Sequence, residues 1–179
     1  MPTYQWRGQT IDAPNPEAVK KYVSKQNLSG LLVSENDSED AILKRVAPYI
    51  GSVYDAEDSN GIPRGLLKKV LFQESKFRED IISGAKTSAK GAIGIAQFMP
   101  DTARELGIDP TDPKQAIPAA GKYLSSLKEQ TGSWESAVAA YNWGPGNLAK
   151  QGLDNAPKET RDYLKNVIGD SAEVARANQ

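Results

Sequence analysis

The chain of 179 residues contains no histidine and no cysteine. Without cysteine there is no disulfide framework, no thiolate metal site and no thiol nucleophile. Without histidine the commonest general base and metal ligand is missing as well. Together these absences exclude Ser-His-Asp and Cys-His catalysis, so acid–base chemistry has to run on Asp, Glu, Tyr or Lys. Long apolar runs are absent too. Residues 30–33, GLLV, are among the longest, far below the roughly 20 residues that span a bilayer. No membrane insertion is expected. The N-terminus has no basic segment leading into an apolar core, so no secretory signal is expected either. With a net charge of −1 and a pI near 5.6 there is no basic footprint for a nucleic-acid partner.

What is present describes a globular protein: 39% hydrophobic and 25% charged residues. The length fits one ordinary domain with a short appendage. Tyr4 and Trp6 alternate with polar neighbours, and Gly8 allows a turn towards Thr10 and Ile11, predicting a short strand or hairpin. Residues 12–16, DAPNP, break that pattern, and 17–25 read as a short helix. Residues 1–30 are thus a small N-terminal appendage, too small to bury much core alone. It is expected to dock on the larger domain or on a partner protein; a carbohydrate-binding face of exposed aromatics is the alternative. Residues 31–40, ending in SENDSED, suit a linker.

From 41 to 170 the periodicity is helical. Ser38 or Asp40 can cap a helix through Ile42, Leu43, Val46, Tyr49, Ile50 and Val53, closed by a polar loop over 55–61. Residues 83–94, small and polar, form a loop too long for a simple turn, a feature usually tied to function or motion. Pro100 opens a helix that stops at Gly107. Asp112-Pro113 caps and starts another that ends at Gly132, and Ser133 caps the next. That helix runs into Asn142-Trp143-Gly144-Pro145-Gly146, read as an abrupt stop. A last helix spans about 157–168, and 171–179 form a polar tail. The expected fold class is mainly α, with six or seven short helices.

The stretch most informative about chemistry is 63–77, PRGLLKKVLFQESKF. Pro63 suits the first turn of a helix. Leu67, Val70, Leu71 and Glu74 follow the i, i+3, i+4, i+7 spacing of one stripe. Three members are apolar; the fourth is a carboxylate. Desolvation on a buried stripe raises a carboxyl pKa, and the negative end of the helix dipole pushes the same way. A carboxyl kept protonated near neutral pH is what a general acid requires. The alternative is a boundary glutamate whose stem packs on apolar neighbours while its head reaches water.

Four local patterns bear on that choice: Glu74-Ser75 with Phe77 behind it; GAIGIAQFMP at 91–100; AAYNWGPG at 139–146; and ETRDY at 159–163. In this order and at these gaps they resemble the lytic transglycosylases of the soluble, goose-lysozyme-like kind (the SLT domain), over roughly residues 41–168. The resemblance implies a lysozyme-like helical fold whose cleft binds glycan strands of peptidoglycan. On it, Glu74 matches the catalytic acid/base. Gln97 and Met99 match residues bordering the sugar subsite, and Ser88 matches a serine of a Ser-Pro-x-Gly-Ala segment. Tyr141 and Asn142 match the third motif, where the tyrosine approaches the glutamate. Glu159 and Tyr163 match the fourth. Two departures stand out. Ala96 replaces a common methionine, and the gap between Glu74 and Gly91 is longer than usual, which makes Ser83 an alternative counterpart to Ser88.

The residues themselves suit such a cleft. Gly91 and Gly94 would let backbone approach a sugar ring, and Gln97 offers a donor and an acceptor. Tyr141 could hydrogen-bond Glu74, while Glu159 and Tyr163, at i and i+4, share one helix face. Trp134, Tyr123 and Phe77 read as core. Hydrolytic glycosidases generally need two carboxylates, and Glu79, Asp80, Asp101 and Asp112 have no matching context. The expectation is therefore a single-carboxylate mechanism that needs no metal and no cofactor. On the resemblance, it cleaves between N-acetylmuramic acid and N-acetylglucosamine and closes a 1,6-anhydro ring. The alternatives are a hydrolysing muramidase and a non-catalytic peptidoglycan-binding component of a virion or secretion apparatus. Action on the wall in the periplasm, with residues 1–30 contacting a virion or secretion-machine protein, completes the expectation.

Overall fold

The computed structural model describes residues 2–6, 9–12 and 38–169, with isolated positions 17, 18, 21, 25 and 31 between them. Strand β1 (Thr3–Trp6) pairs antiparallel with β2 (Gln9–Asp12), Tyr4 opposite Ile11, as the alternation predicts. Most of the expected helix over 17–25, most of the linker and the polar tail lie outside the described residues.

Nine α-helices follow among the described residues, more than the pattern suggested. Ser38 caps α1 (Glu39–Val46) by accepting a hydrogen bond from the Ala41 N–H at 3.2 Å. Residues 39 and 40 thus lie within α1, and Ser38 is its cap. The expected continuous helix through Val53 is broken after Val46. A turn at 47–49 separates α1 from α2 (Ile50–Ser59), so residues 55–59 are helix where a polar loop was expected. The reason is Glu57. It is fully buried, and its carboxylate accepts hydrogen bonds from the N–H groups of Gly65 (2.8 Å) and Lys68 (3.2 Å). Those amides open α3 (Leu66–Ser75), so Glu57 reaches from α2 to satisfy N–H groups that a helix start leaves unpaired. Pro63 stands outside α3. Gly65 makes the entry with φ +87°, a left-handed conformation that suits glycine.

The rest of the domain closes around α3. After the short α4 (Glu79–Ile82) the chain is irregular to Met99, apart from a bridge between Ile93 and Phe98. Helix α5 (Pro100–Leu106) ends on left-handed Gly107, and α6 (Pro113–Thr131) is capped by Asp112 and ended by Gly132. Helix α7 (Trp134–Trp143), capped by Ser133, is the hub. Ala137, Val138, Ala139 and Ala140 are all fully buried, and their small size lets α6 and α9 pack closely on it. Past the stop expected at 142–146, a further helix follows at once, α8 (Pro145–Gln151), because Pro145 can start a helix as readily as Gly144 ends one. Helix α9 (Lys158–Ile168) packs across α3 and α7.

The predicted stripe on α3 holds: Leu67, Val70 and Leu71 are buried to zero exposure. Phe77 is also core, stacked on Tyr49 with centroids 5.9 Å apart, and Trp134 is buried.

Candidate active site

Glu74 sits in the last turn of α3, where the helix stops abruptly. Ser75, fully buried, donates its hydroxyl to the Leu71 carbonyl (3.0 Å) and accepts the Phe77 N–H (3.2 Å). Lys76 and Phe77 are both left-handed, with φ of 51° and 52°. Such conformations cost non-glycine residues about 1–3 kcal/mol and persist where surrounding structure fixes them. Here Ser75 and the buried Phe77 ring do so, aiming the preceding glutamate out of the helix end.

The glutamate faces an open cleft of about 620 Å³. Burial pushes its carboxyl up to about 7, against the pull of a hydrogen bond from Tyr163 and of the Lys76 charge. The side chain is half-buried, with protein on most sides and the cleft on the remaining one. The hydrogen bond runs from the Tyr163 hydroxyl to Glu74 Oε1 at 2.5 Å. Burial, then the neighbouring carboxylate, holds the Tyr163 phenol well above its ordinary range, so it stays a donor.

That corrects the expectation for Tyr141. Its hydroxyl donates instead to the Ala96 carbonyl at 3.0 Å. Tyr141 thereby ties α7 to the loop that forms the facing wall, and its ring packs with Phe98 (6.3 Å) and Tyr123 (5.6 Å). Tyr123 is corrected as well. It is half-buried and lines the cleft rather than belonging wholly to the core. Sequence spacing put Tyr141 and Tyr163 equally well on inward helix faces; the crossing of α9 over α3 decides between them.

The remaining sequence-predicted residues do converge. Ser88, Gln97, Met99, Asn142 and Glu159 all line this cleft with Glu74 and Tyr141. Tyr163 lines an adjoining pocket of about 330 Å³ that shares Glu74, Asn142 and Glu159. Ser83 is not in the cleft lining; its hydroxyl donates to the Glu79 carbonyl. Ser88 Oγ accepts the Ala92 N–H at 2.9 Å, so part of its capacity closes its own loop. Gln97, with φ 50°, spends one amide donor on the Gly94 carbonyl at 2.9 Å. Asn142 accepts the hydroxyl of buried Thr160 at 2.9 Å, which leaves its amide nitrogen for a ligand. Gly94 does not serve a sugar. A Cβ there would lie 1.8 Å from the Pro110 carbonyl oxygen, so glycine is needed for packing against the 108–112 loop. Sequence reasoning missed Lys90, Thr102, Tyr123 and Trp143 as cleft-lining residues; the position of Trp143 beside Asn142 was the one available signal.

The other carboxylates are committed elsewhere. Asp80 pairs with Arg78 at 2.7 Å, Asp101 pairs with Arg104, Asp112 caps α6, and Glu79 receives a hydrogen bond from Tyr49. Glu159 is the other carboxylate in the cleft lining. The described residues contain no cluster of three or more His, Cys, Asp or Glu that could hold a metal ion. None of their helices is long and apolar enough to cross a membrane.

A helical domain whose cleft is floored by one desolvated glutamate at a helix end has the architecture of the lysozyme-like folds. More narrowly, the chain belongs to the transglycosylase SLT domain family, whose model matches residues 52–164, from α2 into α9. It is 35% identical over 148 residues to peptidoglycan transglycosylase gp16 of Escherichia phage T7, covering 73% of this chain and 11% of that protein. It is 36% identical over 92 residues to the membrane-bound lytic murein transglycosylase F of Pseudomonas fluorescens, covering 46% of this chain and 18% of the relative. The fold is similar to that of an inactive mutant of lytic transglycosylase Slt from Pseudomonas aeruginosa. The TM-score is 0.58 at 24% identity, over 80% of this chain and 26% of that one. The chain thus spans about a tenth to a fifth of the length of these curated relatives.

Proposed function

We propose that the chain is a peptidoglycan lytic transglycosylase in which Glu74 is the single acid/base, and that residues 41–170 carry the activity. The observation that carries this reading is the Glu74 carboxyl itself. It faces the cleft, is held up to about 7 by burial, and is bound through one oxygen by Tyr163. The second oxygen is left to the substrate. The similarity to murein and peptidoglycan transglycosylases supports the substrate class.

The chemistry follows in two proton transfers. Neutral Glu74 protonates the glycosidic oxygen between N-acetylmuramic acid and N-acetylglucosamine, and the C1–O bond breaks. The positive charge at C1 is met by the substrate's own N-acetyl carbonyl. Glu74, now ionised, takes the proton of the muramoyl C6 hydroxyl as that oxygen bonds to C1, closing the 1,6-anhydro ring and regenerating the acid. Tyr163 stabilises the ionised form between the two steps. Proximity of the C6 hydroxyl replaces an external nucleophile. Gln97, Met99, Asn142 and Glu159 line the sugar path in this reading, and Ser88 and Tyr141 hold its facing wall. The place of action is the bacterial wall, and the phage origin of one relative supports delivery with a phage. Attachment to a virion or secretion machine is assigned to residues 1–30.

A hydrolysing muramidase is the second reading, favoured by one observation: Glu159 shares the cleft and could serve as a second carboxylate. Mass spectrometry of digested peptidoglycan separates the two. The expected products end in 1,6-anhydro-muramic acid, one water lighter than hydrolysis products, with no new reducing ends. Reducing muramic acid would assign Glu159 the partner role; intact strands would leave a protein that grips the wall without cutting it.

A further inference from the structure

Among the described residues lining the main cleft, Lys90 is the one cation, and the proposed reaction gives it no task. It is exposed and makes no hydrogen bond or ion pair with any described residue. Neither is it the cation that acts on the acid: the charge pulling on Glu74 is that of Lys76.

Its mounting, by contrast, is built with care. Residues 88–91 form a turn closed by the Gly91 N–H on the Ser88 carbonyl at 2.9 Å. The Ser88 N–H donates to the Ala92 carbonyl at 3.1 Å, and the Ala92 N–H donates back to Ser88 Oγ at 2.9 Å. Three bonds within five residues fix the backbone under Lys90, while the side chain is left to solvent and the cleft. A flexible cation on a fixed base, beside a trough that otherwise carries carboxylates and neutral groups, suits a negatively charged group on the occupant.

Resting on the glycan-strand reading above, we infer that Lys90 receives a substrate carboxylate carried on the lactyl arm of muramic acid. That arm ends either in its own free carboxylate or in an amide to a peptide that bears carboxylates further out. Both present the same chemistry to a lysine ammonium. N-acetylglucosamine has no such arm, so Lys90 distinguishes a muramic-acid polymer from a neutral N-acetylglucosamine polymer. Ser88 is then a positioning residue, acting through the turn it closes.

The test measures binding rather than turnover, in the Glu74→Gln protein so that strands stay intact. Dissociation constants are taken for soluble strands with peptides, strands stripped of peptides, stripped strands with amidated carboxyls, and N-acetylglucosamine oligomers. Adding Lys90→Gln is expected to weaken binding of carboxylate-bearing strands about two- to five-fold, the range of a solvent-exposed ion pair. Lys90→Arg should restore binding, and added salt should erase the difference. Amidated strands and neutral oligomers should bind both proteins alike. Weakening confined to peptide-bearing strands names the peptide as the source of the carboxylate; weakening confined to stripped strands names the lactyl group. Equal affinity for both kinds of strand with and without Lys90→Gln overturns the inference, as does a loss that extends to amidated strands. Digestion by the unaltered chain reports separately on the transglycosylase reading. Lys90-dependent binding without anhydro products would keep this inference and discard that one, and a protein that binds no strand discards both.

Discussion

The two walls of the cleft are held in opposite ways. The helical wall, carried by α3, α7 and α9, is fixed by bonds between distant parts of the chain: Tyr163 to Glu74, Thr160 to Asn142, Tyr141 to Ala96. The loop wall, residues 88–99, is fixed mostly by bonds to near neighbours: Ser88 with Ala92, Gln97 with Gly94, Ile93 with Phe98. The helical wall therefore shares the stability of the whole domain, while the 88–92 turn of the loop wall, ahead of buried Ile95 and Phe98 and of the Tyr141 hold on Ala96, can open locally. In the proposed reaction, the chemistry that needs an aimed acid sits on the first, and the groups that would only line a sugar path sit on the second.

The largest effect belongs to the helical wall. Glu74→Gln should cut wall cleavage by roughly 10²–10⁴-fold, the usual contribution of general acid catalysis; retention of a tenth of the activity would remove Glu74 from its role. The same change should stabilise the protein, with a definite pH signature. Below about 4.5 the carboxyl is neutral in both folded and unfolded chains, and it contributes no difference. Between 4.5 and about 7 the unfolded chain ionises while the folded one does not, so wild-type stability falls. Thermal melts should show the Gln variant gaining on the wild type across that window, by about 1–3 kcal/mol, and holding the gain above it. In the active protein kcat/KM should decline as pH rises through about 7, when the acid loses its proton.

Gly94→Ala strikes the loop wall where it packs against the 108–112 loop. The new Cβ meets the Pro110 carbonyl oxygen at 1.8 Å in a backbone with φ +81°. A loss of roughly 2–4 kcal/mol in denaturant unfolding is expected from overpacking and left-handed strain together. An unchanged midpoint would show that the 108–112 loop yields freely. Tyr163→Phe is milder. Removing the donor leaves burial to act with less opposition, so the alkaline limb of the pH–rate profile should move above 7 and the rate at neutral pH should fall about tenfold. A profile that stays in place would transfer the positioning role elsewhere. Ser88→Ala is the smallest, about 1 kcal/mol, and local. Amide exchange at Ala92 should accelerate while the melting temperature hardly moves; a global shift instead would contradict the contrast between the walls.

What the sequence revealed divides along the same line. Caps and stops were legible because their chemistry is local: Ser133, Asp112-Pro113, Gly107 and Gly132 stand where the structure uses them. The apolar stripe ending in Glu74 was legible because it repeats. The break after Val46 is marked locally too, by Pro48, whose missing N–H and ring clash stop a helix in the turn before it, although the apolar spacing over 42–53 runs on past it. Glu57 read as part of a polar loop because its partners are backbone amides on another helix, and backbone partners leave no mark in the residue types. Convergence of the four motifs on one cleft was visible through resemblance. Which tyrosine grips the acid was not, because the answer lies in how α9 crosses α3.

Lys76 shows where stability and reactivity compete within a single residue. It occupies a left-handed helix end at which glycine would sit without strain, so a consensus-minded engineer would replace it and collect a more robust protein. Its ammonium, however, is the charge that draws the neighbouring carboxyl downwards. A glycine there would relax the backbone and, in the same stroke, leave the acid holding its proton more tightly and surrendering it less readily. In the proposed reaction the uncomfortable residue would act as the dial, and comfort at that position would detune it.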